Sequence, residues 1–191
     1  MGNSVSMNLQ DEELEAIQEE TGFSKNQIVR LYSRFKGLDK SDRGSLGRED
    51  FIRIPELAIN PLGDRIIASF FRGELVDGDR VNFRQFIRTL ARFRPIKKNK
   101  ACPLNSREDK LQFAFGMYDV NGNGFVSKEE LLVILNMMVG PNITPEQLQS
   151  IADRTIQEAD KDKDGNISFQ EFCQAMEKTD IEQKMSIRFL H

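Results

Sequence analysis

Apolar residues recur along this chain at helical spacing, separated by polar stretches rich in aspartate, asparagine and glycine. Ile28, Leu31, Tyr32, Phe35 and Leu38 form one stripe at the i, i+3, i+4, i+7 intervals of an amphipathic helix. Leu111, Ala114, Phe115 and Tyr118 form a second, Leu131, Leu132, Leu135, Met138 and Val139 a third, and Leu148, Ile151, Ala152, Ile156 and Ala159 a fourth. Two starts are marked. Ser24 with Gln27, and Thr144 with Gln147, have capping-box spacing, and Pro145 pre-sets the first turn of the second helix. The second and fourth stripes each run directly into a polar stretch and are followed by another apolar run, so helix, loop, helix repeats.

Those two polar stretches, Asp119 to Glu130 and Asp160 to Glu171, carry oxygen-bearing side chains at positions 1, 3, 5, 9 and 12 and glycine at position 6. Calcium takes about 6–8 oxygen ligands, and a short loop supplies them only by wrapping the ion, with glycine permitting the sharp turn. The first loop offers Asp119, Asn121, Asn123, the Phe125 carbonyl, Ser127 directly or through water, and Glu130 as the bidentate closer. The second offers Asp160, Asp162, Asp164, the Asn166 carbonyl, Ser168 and Glu171. Asx-rich surface turns share these residue types, but two matches, each with an apolar residue at position 8 (Val126, Ile167), identify EF-hand loops that bind two calcium ions. The first loop has two carboxylate ligands and the second four, which predicts tighter binding at the second.

Two damaged copies precede them. Asp39 to Asp50 keeps Asp39, Gly44 and Leu46 at positions 1, 6 and 8, but places Arg43 at position 5 and Asp50 at position 12. A cation at a ligand position repels calcium. Val81-Asn82-Phe83-Arg84-Gln85-Phe86 echoes Ile167-Ser168-Phe169-Gln170-Glu171-Phe172, with Gln85 where the closing glutamate belongs. The fold expected is therefore all-α: four EF-hands in two lobes, the first pair metal-free and the second calcium-binding, with short paired β segments between loops. Residues 1–23 form an N-terminal segment and first helix, 24–93 the first lobe, 94–106 a solvated linker marked by Pro95, Pro103 and lysines, 107–180 the second lobe, and 181–191 a tail.

Composition narrows the function. A chain of 191 residues with 39% hydrophobic and 30% charged side chains reads as a soluble globular protein. Its formal charge of −3 does not fit nucleic-acid binding. Cys102 and Cys173, with no apolar signal segment, read as free intracellular thiols, and no apolar run approaches the ~20 residues of a membrane helix. Catalysis is not expected, since the one histidine is His191 and the acidic side chains are assigned to metal. A pure calcium buffer is a rival reading.

Met1-Gly2-Asn3-Ser4-Val5-Ser6 fits N-myristoylation at Gly2. One acyl chain binds membranes only marginally, so a second attachment is required. Fourteen phenylalanines and seven methionines supply material for a groove that accepts a partner helix. Candidate lining residues are Phe70, Phe86, Leu90, Phe93, Phe115, Leu132, Leu135, Met138 and Met176, each equally at home in a core. Ile181, Met185 and Phe189 have helical spacing while Met185, Ile187 and Phe189 alternate, so the period of the tail stays open; one expectation is that it covers the groove.

Arg53 to Leu62, Asn105-Ser106-Arg107, Leu135 to Gly140 and Lys184 to His191 resemble the calcineurin B homologous proteins. Calcineurin B itself, the regulatory subunit of a calcium-dependent phosphatase, shares the Ile54-Pro55-Glu56-Leu57 and Met137-Met138-Val139-Gly140 segments. The resemblance implies a myristoylated adaptor that binds an amphipathic juxtamembrane helix of plasma-membrane sodium/proton exchangers, supports their activity and pH regulation, and competes with calcineurin signalling. It also implies links to vesicle transport, a cytoplasmic and peripheral plasma-membrane location, and nuclear shuttling. The alternative it leaves is a regulatory B subunit of a Ser/Thr phosphatase.

Overall fold

The computed structural model describes residues 11–72, 79–95, 102 and 104–181. Gly2, most of the linker and the tail beyond Ile181 lie outside them, and so do the expectations attached to those segments. The described chain is helical, with two short antiparallel ribbons. Helix α1 (Asp11–Thr21) precedes the first hand and buries Leu14 and Ile17. Helix α2 (Lys25–Leu38) starts at Ser24 through the expected box: Ser24 Oγ accepts from the Gln27 amide at 3.3 Å and Gln27 Oε1 from the Ser24 amide at 2.9 Å. Then follow β1 (Ser45–Leu46), the short helices α3 (Arg48–Ile52) and α4 (Pro55–Ala58), α5 (Gly63–Phe70), β2 (Val81–Asn82) and α6 (Phe83–Ala91). The second lobe runs α7 (Arg107–Tyr118), β3 (Phe125–Ser127), α8 (Lys128–Val139), a 3₁₀ turn (Gly140–Asn142), α9 (Pro145–Ala159), β4 (Asn166–Ser168) and α10 (Phe169–Ala175).

The ribbons set the register of each lobe. β1 pairs with β2, Leu46 opposite Val81, and β3 with β4, Val126 opposite Ile167. All four of these position-8 residues are buried, so each ribbon contributes one apolar pair to the core while the flanking loops face outward. Around the first pair gather Phe35, Phe51, Phe70 and Phe86, with Phe51–Phe70 and Phe35–Phe86 ring centroids 4.7 and 5.5 Å apart. Around the second, Phe115 lies edge-on to Phe169 and Phe172 at 5.5 and 5.4 Å. Truncating one such phenylalanine to alanine costs about 3–5 kcal/mol.

Burial corrects part of the sequence reading. Phe70, Phe86 and Phe115, candidates for a partner groove, belong to the two interiors. Leu90, Leu132, Leu135 and Met176 pack half-buried against those cores, and Phe93 stacks edge-on to Phe113 at 5.0 Å. Met138 and Ile151, placed in the helical stripes, are exposed instead. The contact face of α9 is centred on Leu148, Ala152 and Ala159, which leaves Ile151 at its edge.

Of the described connector residues, Arg94, Cys102, Leu104 and Asn105 pack at least partly against the protein, while Pro95 and Ser106 are exposed. Arg94 Nη1 donates to the Thr21 carbonyl at 2.7 Å with its guanidinium over the Phe23 ring, Cys102 Sγ approaches the Glu20 carbonyl at 3.4 Å, and Leu104 leans on the first core. Lys110, fully buried, reaches back from α7 to the carbonyls of Arg92 and Arg94 just past α6. It caps that end of the first lobe, where helix carbonyls lack intrahelical partners. Both cysteines are free. No helix among the described residues is long and apolar enough to cross a membrane.

Candidate metal centre

Each second-lobe loop begins where its helix ends. The Asp119 amide still donates to the Phe115 carbonyl at 3.0 Å, closing α7, while its carboxylate turns into the loop. There Oδ1 accepts from the Gly122 and Asn123 amides at 2.7 and 3.1 Å and Oδ2 from the Gly124 amide at 3.0 Å. Gly124 has φ of 87° and Gly165 of 88°, the left-handed turn that position 6 demands. Asn121 Oδ1 accepts from the Asn123 amide at 2.8 Å and Asn123 Oδ1 from the Phe125 amide at 2.9 Å, so positions 3 and 5 also point inward along Asx turns.

The Asp160 loop repeats this wiring. Asp160 accepts from the Lys163 and Gly165 amides at 2.6 and 2.8 Å, Asp162 from the Asp164 amide at 3.1 Å, and Asp164 from the Asn166 amide at 2.7 Å. One carboxylate oxygen from each of Asp160, Asp162 and Asp164 lies within 4.8 Å of the others. The Asp164 amide works to lower the Asp162 carboxyl, yet desolvation and the carboxylates of Asp164, Glu171 and Asp160 raise it on balance. Crowded like charges of this kind are relieved by a divalent cation.

The closing glutamates serve two purposes. Ser127 Oγ accepts from the Glu130 amide and Glu130 Oε2 from the Ser127 amide at 3.0 Å, so the pair caps α8. Glu130 Oε1 reaches across the loop to the Val120 and Asn121 amides at 3.0 and 2.9 Å. Desolvation pushes Glu130 upward, but the Ser127, Asn121 and Val120 amides and the Ser127 hydroxyl outweigh it and hold the carboxyl below its ordinary value. Ser168 and Glu171 cap α10 in the same way, with Glu171 Oε1 on the Lys161 and Asp162 amides at 2.6 and 3.3 Å. Phe125 and Asn166, expected to lend carbonyls, open β3 and β4. The donor set fits calcium in kind: hard oxygens only, a carboxylate at each end, and a loop turned about a common centre.

The first-lobe loop is wired internally. Asp39 accepts from the Arg43 and Gly44 amides at 3.1 and 2.7 Å and Asp50 from the Gly47 amide at 2.9 Å. In the second damaged hand, Asn82 caps α6 by accepting from the Gln85 amide at 2.9 Å, and Gln85 Nε2 donates to the Arg72 carbonyl at 3.3 Å. Sequence spacing gave no sign of Arg65 and Arg72, which cross between lobes to carbonyls at the Asp119 loop.

Paired helix–loop–helix units joined by short ribbons, with this oxygen wiring, define an EF-hand calcium-binding protein. A family model described as an EF-hand domain pair matches residues 108–177. The chain is 45% identical over 188 residues to the calcineurin B subunit of Naegleria gruberi, covering 98% of this chain and 99% of that one. It is 41% identical over 191 residues to the type 2 calcineurin B subunit of Dictyostelium discoideum, covering 99% and 98%, and 38% identical over 176 residues to the calcineurin B subunit of Candida glabrata, covering 92% and 94%. The chain belongs to the calcineurin B family.

Proposed function

We propose that this chain is the calcium-binding regulatory B subunit of a calcineurin-type Ser/Thr phosphatase and does no catalysis of its own. The observation that carries this reading is end-to-end likeness, 45% identity over 98% of the chain, to a protein named as a calcineurin B subunit. Asp119, Asn121, Asn123, the Phe125 carbonyl, Ser127 and Glu130 hold one calcium ion; Asp160, Asp162, Asp164, the Asn166 carbonyl, Ser168 and Glu171 hold the other. The partner is an amphipathic helix of a phosphatase catalytic subunit. Val133, Met137 and Met138 on α8 leave an apolar surface exposed, which supports docking of this kind. Myristate at Gly2 adds a reversible membrane contact, placing the complex in the cytoplasm and at membrane surfaces.

The sodium/proton-exchanger adaptor is the second reading, and residues 184–191 are what favour it. One experiment separates the two. Affinity capture of the myristoylated chain from membranes and cytosol, in calcium and in chelator, followed by mass spectrometry, should recover a phosphatase catalytic chain. Recovery of an exchanger without any phosphatase would reverse the assignment, and recovery of neither would favour a calcium buffer.

A further inference from the structure

The end of α7 that opens the Asp119 loop is held from the other lobe. A helix leaves its last carbonyls without intrahelical partners, and α5 brings Arg65 to those of α7. Arg65 Nη2 donates to the Gly116 carbonyl at 2.9 Å and to the Asp119 carbonyl at 3.1 Å, while its Nε donates to the Met117 carbonyl at 3.0 Å. Arg72, just past α5, adds Nη1 to Gly116 at 2.7 Å and Nη2 to Asp119 at 3.3 Å. Two guanidinium groups thus sit at the negative end of the α7 dipole and grip the backbone of the residue whose carboxylate is the loop's first ligand. At the matching end of α9, among the described residues, the Glu158 carbonyl receives Lys161 Nζ from its own loop at 2.7 Å and no arginine from the first lobe.

Calcium affinity in such loops is set by ligand charge and by rigidity. The Asp119 loop brings two carboxylates and the Asp160 loop four, so the first depends more on being held in shape. We propose that Arg65 and Arg72 are positioning residues for the Asp119 loop: the seated, metal-free lobe fixes the Asp119 backbone before the ion arrives and raises that loop's affinity. By reciprocity, calcium in the loop tightens the seat of the first lobe. The opposing effect is repulsion between the guanidinium groups and the ion. Arg65 is half-buried and Arg72 exposed, so solvent and salt screen that repulsion, whereas the hydrogen bonds act on the backbone directly. The proposal rests on reading residues 119–130 as a calcium loop.

The two loops can be followed separately in the full chain by NMR. The Gly124 amide donates to Asp119 at 3.0 Å and the Gly165 amide to Asp160 at 2.8 Å, so each reports its own loop during a calcium titration. Arg65→Lys keeps the charge and loses the planar fork; Arg65→Gln loses both. Both should weaken calcium binding at Gly124 by about fivefold or more, and at Gly165 by clearly less. Gly116→Ala tests the other arm from the opposite side. Its Cβ would stand 2.7 Å from Arg72 Nη1 and displace that flexible group, while alanine favours the helix. A fall of about threefold at Gly124 is expected there, smaller because Arg72 makes two bonds to these carbonyls where Arg65 makes three. Equal falls at both glycines would mean general destabilisation and overturn the proposal, as would unchanged titrations. Tighter binding in Arg65→Gln with none in Arg65→Lys would make repulsion the dominant effect and also overturn it. A wild-type Gly124 amide indifferent to calcium would instead overturn the loop reading itself.

Discussion

Arg80 Nη2 donates to the carbonyl oxygen of Ser45 at 2.7 Å, joining the second hand to position 7 of the first-hand loop. The same side chain donates from Nε to Ser45 Oγ at 2.8 Å and stands 3.9 Å from the Asp50 carboxylate at position 12. A tethered guanidinium therefore occupies the carbonyl and faces the carboxylate that an ion would use. Calorimetric titration of stripped protein should count two calcium ions per chain. Arg80→Ala should not add a third, because Arg43 and Gly47 still withhold ligands at positions 5 and 9. It should cost stability of about 1.5–3 kcal/mol, the scale of lost hydrogen bonds to a charged group. A third high-affinity ion in either protein would refute this account.

Removing the closing carboxylates one at a time should rank the loops. Glu130→Gln and Glu171→Gln each abolish high-affinity binding at their own loop, and the ion remaining in Glu130→Gln should be the tighter one. The paired Val126 and Ile167 link the loops through β3 and β4, so each single variant should also weaken the other site modestly. Equal or reversed residual affinities by calorimetry would contradict the charge argument.

Glu171 should make the stripped protein sensitive to acid because folding holds its carboxyl ionised below its ordinary range. The Ser168 amide, with help from the Lys161 and Asp162 amides and the Ser168 hydroxyl, overcomes desolvation and holds this carboxyl at about 2 against an ordinary 4.5. A carboxyl depressed by folding contributes stability in full above its unfolded value, and that contribution drains away as pH falls toward the folded one. Urea denaturation of calcium-free protein should show stability declining between about pH 4.5 and 2, with a shallower decline in Glu171→Gln. Parallel curves would exclude Glu171 as a source of the slope.

Lys110 tests the junction between lobes. Its ammonium serves the Arg92 and Arg94 carbonyls from a fully buried position. Lys110→Met conserves much of the volume and removes the donor, so it should destabilise the chain by about 2–3 kcal/mol through unsatisfied carbonyls. Chemical denaturation measures this directly, and a change below about 0.5 kcal/mol would show that water replaces the ammonium without loss.

Legibility in the sequence followed the range of the interaction. Ligand positions 1 to 12 and the Ser24/Gln27 and Thr144/Gln147 boxes are local patterns, and both boxes form as written. Val126 and Ile167 could be paired because they hold equivalent places in repeated units. Helical spacing does not distinguish a face that meets the core from one that meets a partner, so Phe70, Phe86 and Phe115 could not be sorted from Met138. Arg65, Arg72 and Lys110 act on backbone carbonyls, which are the same in every residue and leave no mark in sequence. In the connector, likewise, lysines and prolines are visible in the sequence, but the hydrogen bond of Lys110 to the Arg94 carbonyl is not.

The sharing of one side chain between cap and closer separates the start of the helix from the completeness of the ligand set. Glu130 and Glu171 begin a helix by accepting the Ser127 and Ser168 amides, and Asp50, which lacks a full ligand set around it, still accepts the Gly47 amide in the same manner. In the other damaged hand the cap persists at Asn82 and Gln85. Helix initiation in these hands therefore does not require a full set of ion ligands. The first lobe thus keeps the capped helices of a hand while its Arg65 and Arg72 serve the backbone of the neighbouring one.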